Sequence, residues 1–369
     1  MSAPRRPVAP GGLPDPGFWA GRRVLLTGHT GFKGAWAALW LHALGAQVHG
    51  FSDGALPGRS LYDDAGPLPL ATDGRGDIRD AAAVRAAVAR SEPDVVLHLA
   101  AQSLVRASYA DPVATFAANV MGPVHVLEAV RVLGSACPVI VVTSDKCYEN
   151  HETGQAYREG DPLGGHDPYS ASKACAEIAA LAYARSYGAG LRVATARAGN
   201  VVGGGDWAAD RLVPDLVRGL LTGRAVAIRN PGAVRPWQHV LEPLCGYLLL
   251  AERAAAGEAI GEGWNFGPDP DSEASVGTVA QTVCRLWGCP AGWQAMPVAG
   301  APHEAGLLHL DSAKARAGLG WTPRWDLATA LAASVAFYRA DLAGADLRRL
   351  ALGQIADYTM RPVTAGGVR

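Results

Sequence analysis

The chain holds no CxxC pair and no His/Cys cluster at zinc spacing; its six cysteines are scattered. Structural zinc is therefore not expected, no metal site is assigned, and the thiols are read as buried and reduced. Cys284 and Cys289 are the nearest pair, and nothing in the spacing supports a disulfide between them. Net charge is nearly absent too: the formal value is -1. That balance gives no reason to expect nucleic acid or an anionic membrane as partner. No uninterrupted apolar run approaches the ~20 residues of a membrane span, and PVAPGGLPDP after Arg5 and Arg6 is no signal-peptide core. The expectation is a cytoplasmic protein.

What is present is apolar, in short bursts. Hydrophobic residues make up 49% of 369 and charged residues 18%, the balance of a compact globular chain. RRVLLTG, QVHGFSD, DVVLHLAA, PVIVVTSD and LRVATARAGN read as strands. GFKGAWAALWLHALGA, AAAVRAAVARS, VHVLEAVRVLG and the stretch from Tyr169 to about Tyr187 read as helices between them. Continuous aliphatic strands alternating with helices imply a parallel sheet covered on both faces. The fold class is therefore α/β, a Rossmann-like doubly wound sheet, whose ligands lie beyond the carboxyl ends of the strands. After Asn200 the texture shifts to short helices and loops rich in Gly, Pro, Trp and Arg. The expected organisation is a flexible tail over 1–17 and a cofactor domain over 18–200, rejoined by segments from about 232–258. A smaller α/β substrate lobe takes 201–231 and 259–345, and a second tail 346–369.

GHTGFKG places Gly28, Gly31 and Gly34 between the first strand and the first helix. Glycine permits the tight turn and lets backbone approach a pyrophosphate at the helix amino terminus, with Thr30 and Phe32 in the same loop. Asp53 follows the second strand, where a carboxylate can bind the ribose 2'-hydroxyl of NAD; an ordinary turn aspartate is the other reading. Arg59 and Ser60 nearby suit a 2'-phosphate instead, so NAD is favoured over NADP without being settled. Asp77 and Ile78 follow the third strand and are placed at the adenine edge, although Asp77 equally suits a helix cap.

YSASK puts Tyr169 and Lys173 four apart on one helix face. A neighbouring ammonium and a positive nicotinamide ring would bring the phenol toward neutrality, making it a base for an alcohol that loses hydride. TSDKCY sets Thr143, Ser144, Asp145 and Lys146 at the end of a buried strand. Either these line a reaction site or they form a solvated turn.

GHTGFKG, HLAAQSLVR, TSDKCY, DPYSASK, RAGNVVGGGDW, RPWQHVLEP and EGWNFGP together resemble the extended short-chain dehydrogenase/reductase superfamily. Within it they are most similar to the CDP-glucose branch of the nucleotide-sugar 4,6-dehydratases. The likeness runs from about Phe18 to about Tyr338. It implies oxidation of CDP-glucose at carbon 4, elimination of water across carbons 5 and 6, and return of hydride to carbon 6, with NAD as cofactor. Most such dehydratases carry Thr-Asp-Glu where this chain has Ser144, Asp145 and Lys146; the CDP-glucose branch has the lysine. On this resemblance Tyr169 is the base at the 4-hydroxyl, with Lys173 beside it. Ser144 or Thr143 bonds the 4-oxygen, Asp145 is the acid, and Lys146 is either the base or an electrostatic stabiliser of the enolate.

The same resemblance puts Ala100, Ala101, Gln102, Asn119 and Thr143 around the cofactor. It assigns Asn200, Arg211, Arg229, Arg235 and His239 to the nucleotide sugar, with Arg235 first for the pyrophosphate. Trp207 and Trp237 either stack on the substrate or belong to the core. A homo-oligomer, dimer or tetramer, is implied. Two other readings remain at this level: a nucleotide-sugar 4-epimerase, which needs no acid-base pair at carbons 5 and 6, and a catalytically inactive NAD-binding regulator.

Overall fold

A computed structural model describes residues 12–54, 58–289, 292–296 and 306–361. Among the described residues, seven strands make one parallel sheet: β1 Arg23–Thr27, β2 Gln47–Ser52, β3 Thr72–Arg75, β4 Val95–His98, β5 Pro138–Val142, β6 Arg192–Ala198 and β7 Gly263–Phe266. Their order is β7-β6-β5-β4-β1-β2-β3. The order in which strands are added reverses between β1 and β4, and a doubly wound sheet binds its ligand at that crevice. In register, Thr27 faces Phe51 on one side and His98 on the other, so the ends of β1, β2 and β4 share one edge.

The covering helices are α1 Phe32–Ala43, α2 Ala81–Ser91, α3 Gly122–Leu133, α4 Pro168–Tyr187, α5 Leu241–Ala255 and α6 Leu347–Met360. Helix starts follow side-chain chemistry. Asp80 accepts the N–H groups of Ala82 and Ala83 at the head of α2, and Asp167 accepts that of Ser170 at the head of α4. Each such cap is worth about 1 kcal/mol. One core lies on the face of α1, α5 and α6, with Trp36, Trp40, Trp321 and Tyr358 buried; the other lies under α2 and α3, with Val88, Val126 and Val130. The helical run Pro112–Leu133 is long and apolar enough to cross a bilayer, yet Val126, Leu127 and Val130 on it are buried in the second core.

Three expected boundaries change. Residues 12–17 are attached: the Asp15 N–H donates to Glu252 at 2.8 Å and Asp15 caps the turn Pro16–Trp19. The expected second tail contains α6, whose Ile355 and Tyr358 are buried, Tyr358 against Trp40 of α1. The remainder of both tails, residues 1–11 and 362–369, lies outside the described residues. Lastly, β7 belongs to the main sheet through Gly263–Phe266 pairing with β6, not to the smaller lobe. That lobe is built on short pairs, Val234–Pro236 with Glu273–Ser275 and Val226–Ile228 with Trp293–Ala295.

Candidate active site

The glycine loop is a cradle that side chains would fill. Gly28 has a φ of 74°, and a Cβ there would meet Ala100 N at 2.8 Å; one on Gly34 would meet the Gly28 carbonyl at 2.0 Å. Gly31 caps α1 with no side-chain hydrogen bond, leaving its first N–H groups for a ligand. Thr30 Oγ1 bonds Ser52 Oγ and the Gly54 carbonyl, pinning the loop to β2, with Phe32 partly buried beside it. These features fit a dinucleotide pyrophosphate.

Asp53 is exposed just beyond β2, and its charge reaches Arg79. The alternative pair is already occupied: Arg59 binds Asp64 and Asp341 and lies over Trp207, and Ser60 caps a short helix. Asp77 is held by Arg79 and caps no helix, the cap of α2 being Asp80, while Ile78 is buried against Gly122. Ala100 and Ala101 line the end of β4, partly buried. Asn119 lies in a single π-helical turn and ties the Gln102 backbone to Ser172 Oγ on α4. The Gln102 side chain turns to Thr115 and Leu104, so it braces the loop.

At the end of β5 the chain makes one 3-10 turn, Asp145–Cys147, capped by Ser144. Asp145 is 3% exposed; its Oδ1 accepts from Ser144 Oγ at 2.8 Å and its Oδ2 has no hydrogen-bond partner. Burial pushes its carboxyl up, against the charges of Lys146, Arg235 and Lys33. This is no solvated turn. Lys146 is half-buried, and its N–H donates to Ser144 Oγ at 3.2 Å.

Tyr169 lies in the first turn of α4, its N–H held by Ser108 Oγ. Burial pushes its phenol up to about 12, opposed by a hydrogen bond to Ser144 and reinforced by the charge of Asp145. The expected drop toward neutrality is therefore not a property of the protein alone. Lys173, one turn on, donates to the Val142 carbonyl at 3.3 Å, and burial brings its ammonium down to about 8. One turn further stands Glu177, completely buried and paired with Arg197 at 2.7 Å. Thr143 donates its hydroxyl to Glu177, as does Thr195 at 2.6 Å. That engagement takes Thr143 away from the cleft and leaves Ser144 as the hydroxyl facing Tyr169.

Of the substrate candidates, Arg235 is buried with its charge on Asp145, and Arg211 places its charge on Tyr169 while binding Asp206 and Ser103. Arg106 pairs with Asp210, a second tie between the same two loops. Arg229 stands beyond the strand Val226–Ile228, where its charge acts on Asp215. Asn200 is partly buried, its carbonyl accepting from Gln238. His239 is corrected: it is enclosed by Trp36 and Trp325 in the main core, because its place on a two-residue strand turns it inward. Trp207 and Trp237 are also core residues, against Tyr338 and the Ala274 carbonyl.

Two residues at the site escaped the sequence reading. Lys33, inside the glycine motif, feels Asp145, Asp206, Lys173 and Arg211, and burial brings it down to about 7. Its ammonium lies 5.9 Å from the Tyr247 ring centre. Tyr247, on α5, is buried with its hydroxyl unpartnered, and the charges of Tyr169 and Asp145 bear on it. A lysine among loop glycines was a signal available beforehand; nothing marked Tyr247. No group of three metal-ligating side chains occurs among the described residues.

The sequence model of the NAD dependent epimerase/dehydratase family matches residues 24–267. The chain belongs to that family. A family relative, the CDP-glucose 4,6-dehydratase of Salmonella typhimurium, is 45% identical over 93% of this chain and 98% of its own length. The dTDP-glucose 4,6-dehydratase of Streptomyces antibioticus is 34% identical over 73% of this chain and 77% of its own. Solved structures of the family superpose well. The dTDP-glucose 4,6-dehydratase of Streptomyces venezuelae with NAD and TYD bound has a TM-score of 0.75 at 26% identity, covering 88% of this chain and 99% of that one. The UDP-glucose 4-epimerase of Thermus thermophilus in complex with NAD gives 0.73 at 28% identity, covering 86% and 99%.

Proposed function

We propose that this protein is an NAD-dependent hydro-lyase that converts CDP-glucose to CDP-4-keto-6-deoxyglucose and water. The observation that carries the reading is Asp145: a buried carboxyl, raised by burial, hydrogen-bonded to Ser144 and close enough for its charge to act on Tyr169. A 4-epimerase needs the tyrosine and lysine but has no use for an acid there. Likeness to the CDP-glucose enzyme over nearly the whole chain, against about three quarters for a dTDP-glucose enzyme, supports cytidine as the base.

NAD, when bound, supplies the hydride acceptor for carbon 4 and the donor for carbon 6. The protein does the rest. Gly28, Gly31 and Gly34 seat the pyrophosphate, Thr30 and Phe32 shape that loop, and Asp53 takes the ribose hydroxyls; Arg59 is occupied elsewhere, which supports NAD over NADP. Tyr169, as the phenolate that the Lys173 ammonium stabilises, removes the proton of the 4-hydroxyl and becomes a neutral phenol. Ser144 bonds the 4-oxygen. The ketone acidifies the hydrogen at carbon 5, and Asp145 protonates the departing 6-hydroxyl through Oδ2. Lys146 acts at carbon 5, as base when neutral or as electrostatic stabiliser of the enolate when charged. Arg235 and Arg211 bind the substrate pyrophosphate, with Asn200 beside it. The enzyme works in the cytoplasm as a homo-oligomer. Exposed Val113, Phe116 and Met121, with Ile178 on α4, give it an apolar face for a second copy.

The test is incubation of the purified chain with NAD and CDP-, dTDP-, UDP- and GDP-glucose. The expected result is a 4-keto-6-deoxy product with CDP-glucose preferred and no net NADH. Reduced cofactor growing in step with product would show a simple dehydrogenase instead, and a C4-inverted sugar would show an epimerase.

A further inference from the structure

Asp145 and Gly199 stand side by side because two strands are in register. Val142 of β5 pairs with Ala196 of β6, and each of the two residues lies three positions further on, just past the end of its strand. A third segment closes on them. The short strands Val201–Val202 and Gln238–His239 pair Val201 with Gln238, and two positions earlier on these segments lie Gly199 and Pro236. Register of the backbone thus brings Pro236, Gly199 and Asp145 together.

No side chain at position 199 fits among them. A Cβ there would lie 2.6 Å from Pro236 Cγ, 2.9 Å from Asp145 Oδ2 and 3.3 Å from the Pro236 carbonyl oxygen. The φ of Gly199 lies outside the left-handed region, so the backbone makes no demand for glycine. The demand is for space. Stiffness decides what would yield to a side chain. The Gln238 N–H donates to the Asn200 carbonyl at 3.0 Å, which fixes the two segments, and the Pro236 ring is closed on its own backbone. Asp145 is a carboxyl on a rotatable stem, held by the hydrogen bond from Ser144 at 2.8 Å. A methyl group at 199 would turn that carboxyl off Ser144 and toward the cleft.

We propose that Gly199 is a positioning residue that acts through Asp145, its missing side chain fixing where the acid stands as the 6-hydroxyl departs. The proposal rests on the dehydratase reading. In that step the electron pair left at carbon 5 forms the second bond to carbon 6. The bond from carbon 6 to oxygen breaks, and the oxygen leaves as water with the Asp145 proton.

Position and acidity are linked at this carboxyl. Lys146 and Cys147 on its own turn, Arg235 beside Pro236, Lys33 at the head of α1, Tyr169 on α4 and Tyr247 on α5 all interact with its charge. Burial nevertheless outweighs each of them and sets the direction of the shift. A carboxyl pushed away from Gly199 and Pro236 toward the cleft loses part of that burial. Its titration then moves down, toward the ordinary carboxylate range.

The test is Gly199→Ala in the full chain with NAD and CDP-glucose. Turnover should fall about tenfold or more, toward the ~10²–10⁴ worth of a positioned acid. Bound NADH should accumulate, because oxidation at carbon 4 does not use Asp145. On an Asp145→Asn background the same substitution should cost nothing further, since the group it acts through is gone. Losses that add, or an unchanged kcat in Gly199→Ala, would overturn the proposal. If urea midpoints show that Gly199→Ala does not fold, Gly199→Ala with Pro236→Ala removes the Cγ contact, leaves the carboxyl to meet the methyl, and carries the same expectations. A measurement without sugar separates the proposal from the reaction assigned. The infrared carbonyl band of neutral Asp145, identified by its absence in Asp145→Asn, should titrate at lower pH in Gly199→Ala than in the wild type. Equal midpoints would overturn the positioning role. Failure of the wild type to make a 4-keto sugar would instead overturn the dehydratase reading and leave the infrared result standing.

Discussion

Thr143 donates its hydroxyl to Glu177, a carboxylate that sits one helical turn beyond Lys173 on the same face of α4. The bond separates adjacent hydroxyls at the end of β5: Thr143 is bound into a buried polar network, whereas Ser144 donates to Asp145. Glu177 also accepts from Thr195 and Arg197, and Arg197 continues the chain to Tyr148. Behind the site, therefore, lies a buried ionic network whose near end raises Lys173 against the effect of burial.

Thr143→Val is expected to cost stability more than catalysis. It removes one donor from a buried carboxylate, worth about 1–3 kcal/mol, while kcat should stay within a few-fold. Ser144→Ala should do the reverse, with kcat falling about 10²-fold as for loss of a donor to a developing oxyanion. Urea midpoints and steady-state rates on both variants check the split. Equal losses of kcat would return Thr143 to the substrate.

Tyr169→Phe should lower kcat by about 10²–10⁴, the usual worth of a positioned acid or base. Calorimetric titration should find CDP-glucose binding little changed, since the arginines that hold the pyrophosphate are untouched. Near-normal turnover would remove Tyr169 from the proposed role.

Lys146→Met should separate the two halves of the reaction. Oxidation at carbon 4 needs Tyr169 and Lys173, both intact, whereas elimination loses its base or enolate stabiliser. Bound cofactor is expected to stand partly reduced during turnover, visible as NADH absorbance, with product formation and deuterium exchange at carbon 5 both falling. Product at the wild-type rate would reduce Lys146 to a turn residue.

Acid should weaken the fold through two buried histidines. Burial pushes His98 and His239 down to about 3 from 6.5, so between those values the unfolded chain binds protons that the folded one does not. Stability therefore rises with pH across that window and is lost on acidification, by up to about 1.4 kcal/mol per pH unit for each histidine. Glu242, raised to about 7 by burial, acts with the opposite sign between 4.5 and 7. Comparing variants at fixed pH isolates the histidine: the drop in urea midpoint from pH 7 to pH 5 should be smaller in His239→Gln than in the wild type. Identical drops would rule out a neutral buried His239.

Much of this architecture is written locally. GHTGFKG must form a glycine turn before a helix, because side chains at Gly28 and Gly34 would strike Ala100 N and the Gly28 carbonyl. YSASK must stack Tyr169 over Lys173, because residues four apart share a helix face. Aliphatic runs bounded by turns have to be buried parallel strands. Motif, period and composition are short-range properties, so the doubly wound sheet and the Ser144, Asp145, Tyr169 and Lys173 set were legible in the chain. The rest depended on contacts between distant residues, which no local pattern encodes. Only packing turned His239 into an aromatic box instead of the cleft, committed Arg59 to Asp341 across 282 positions, brought Tyr247 within reach of the Asp145 charge, and fastened α6 onto α1. The acidity of the site was decided in the same way: sequence placed an ammonium beside a phenol, but burial, a property of the whole fold, pushes that phenol up to about 12.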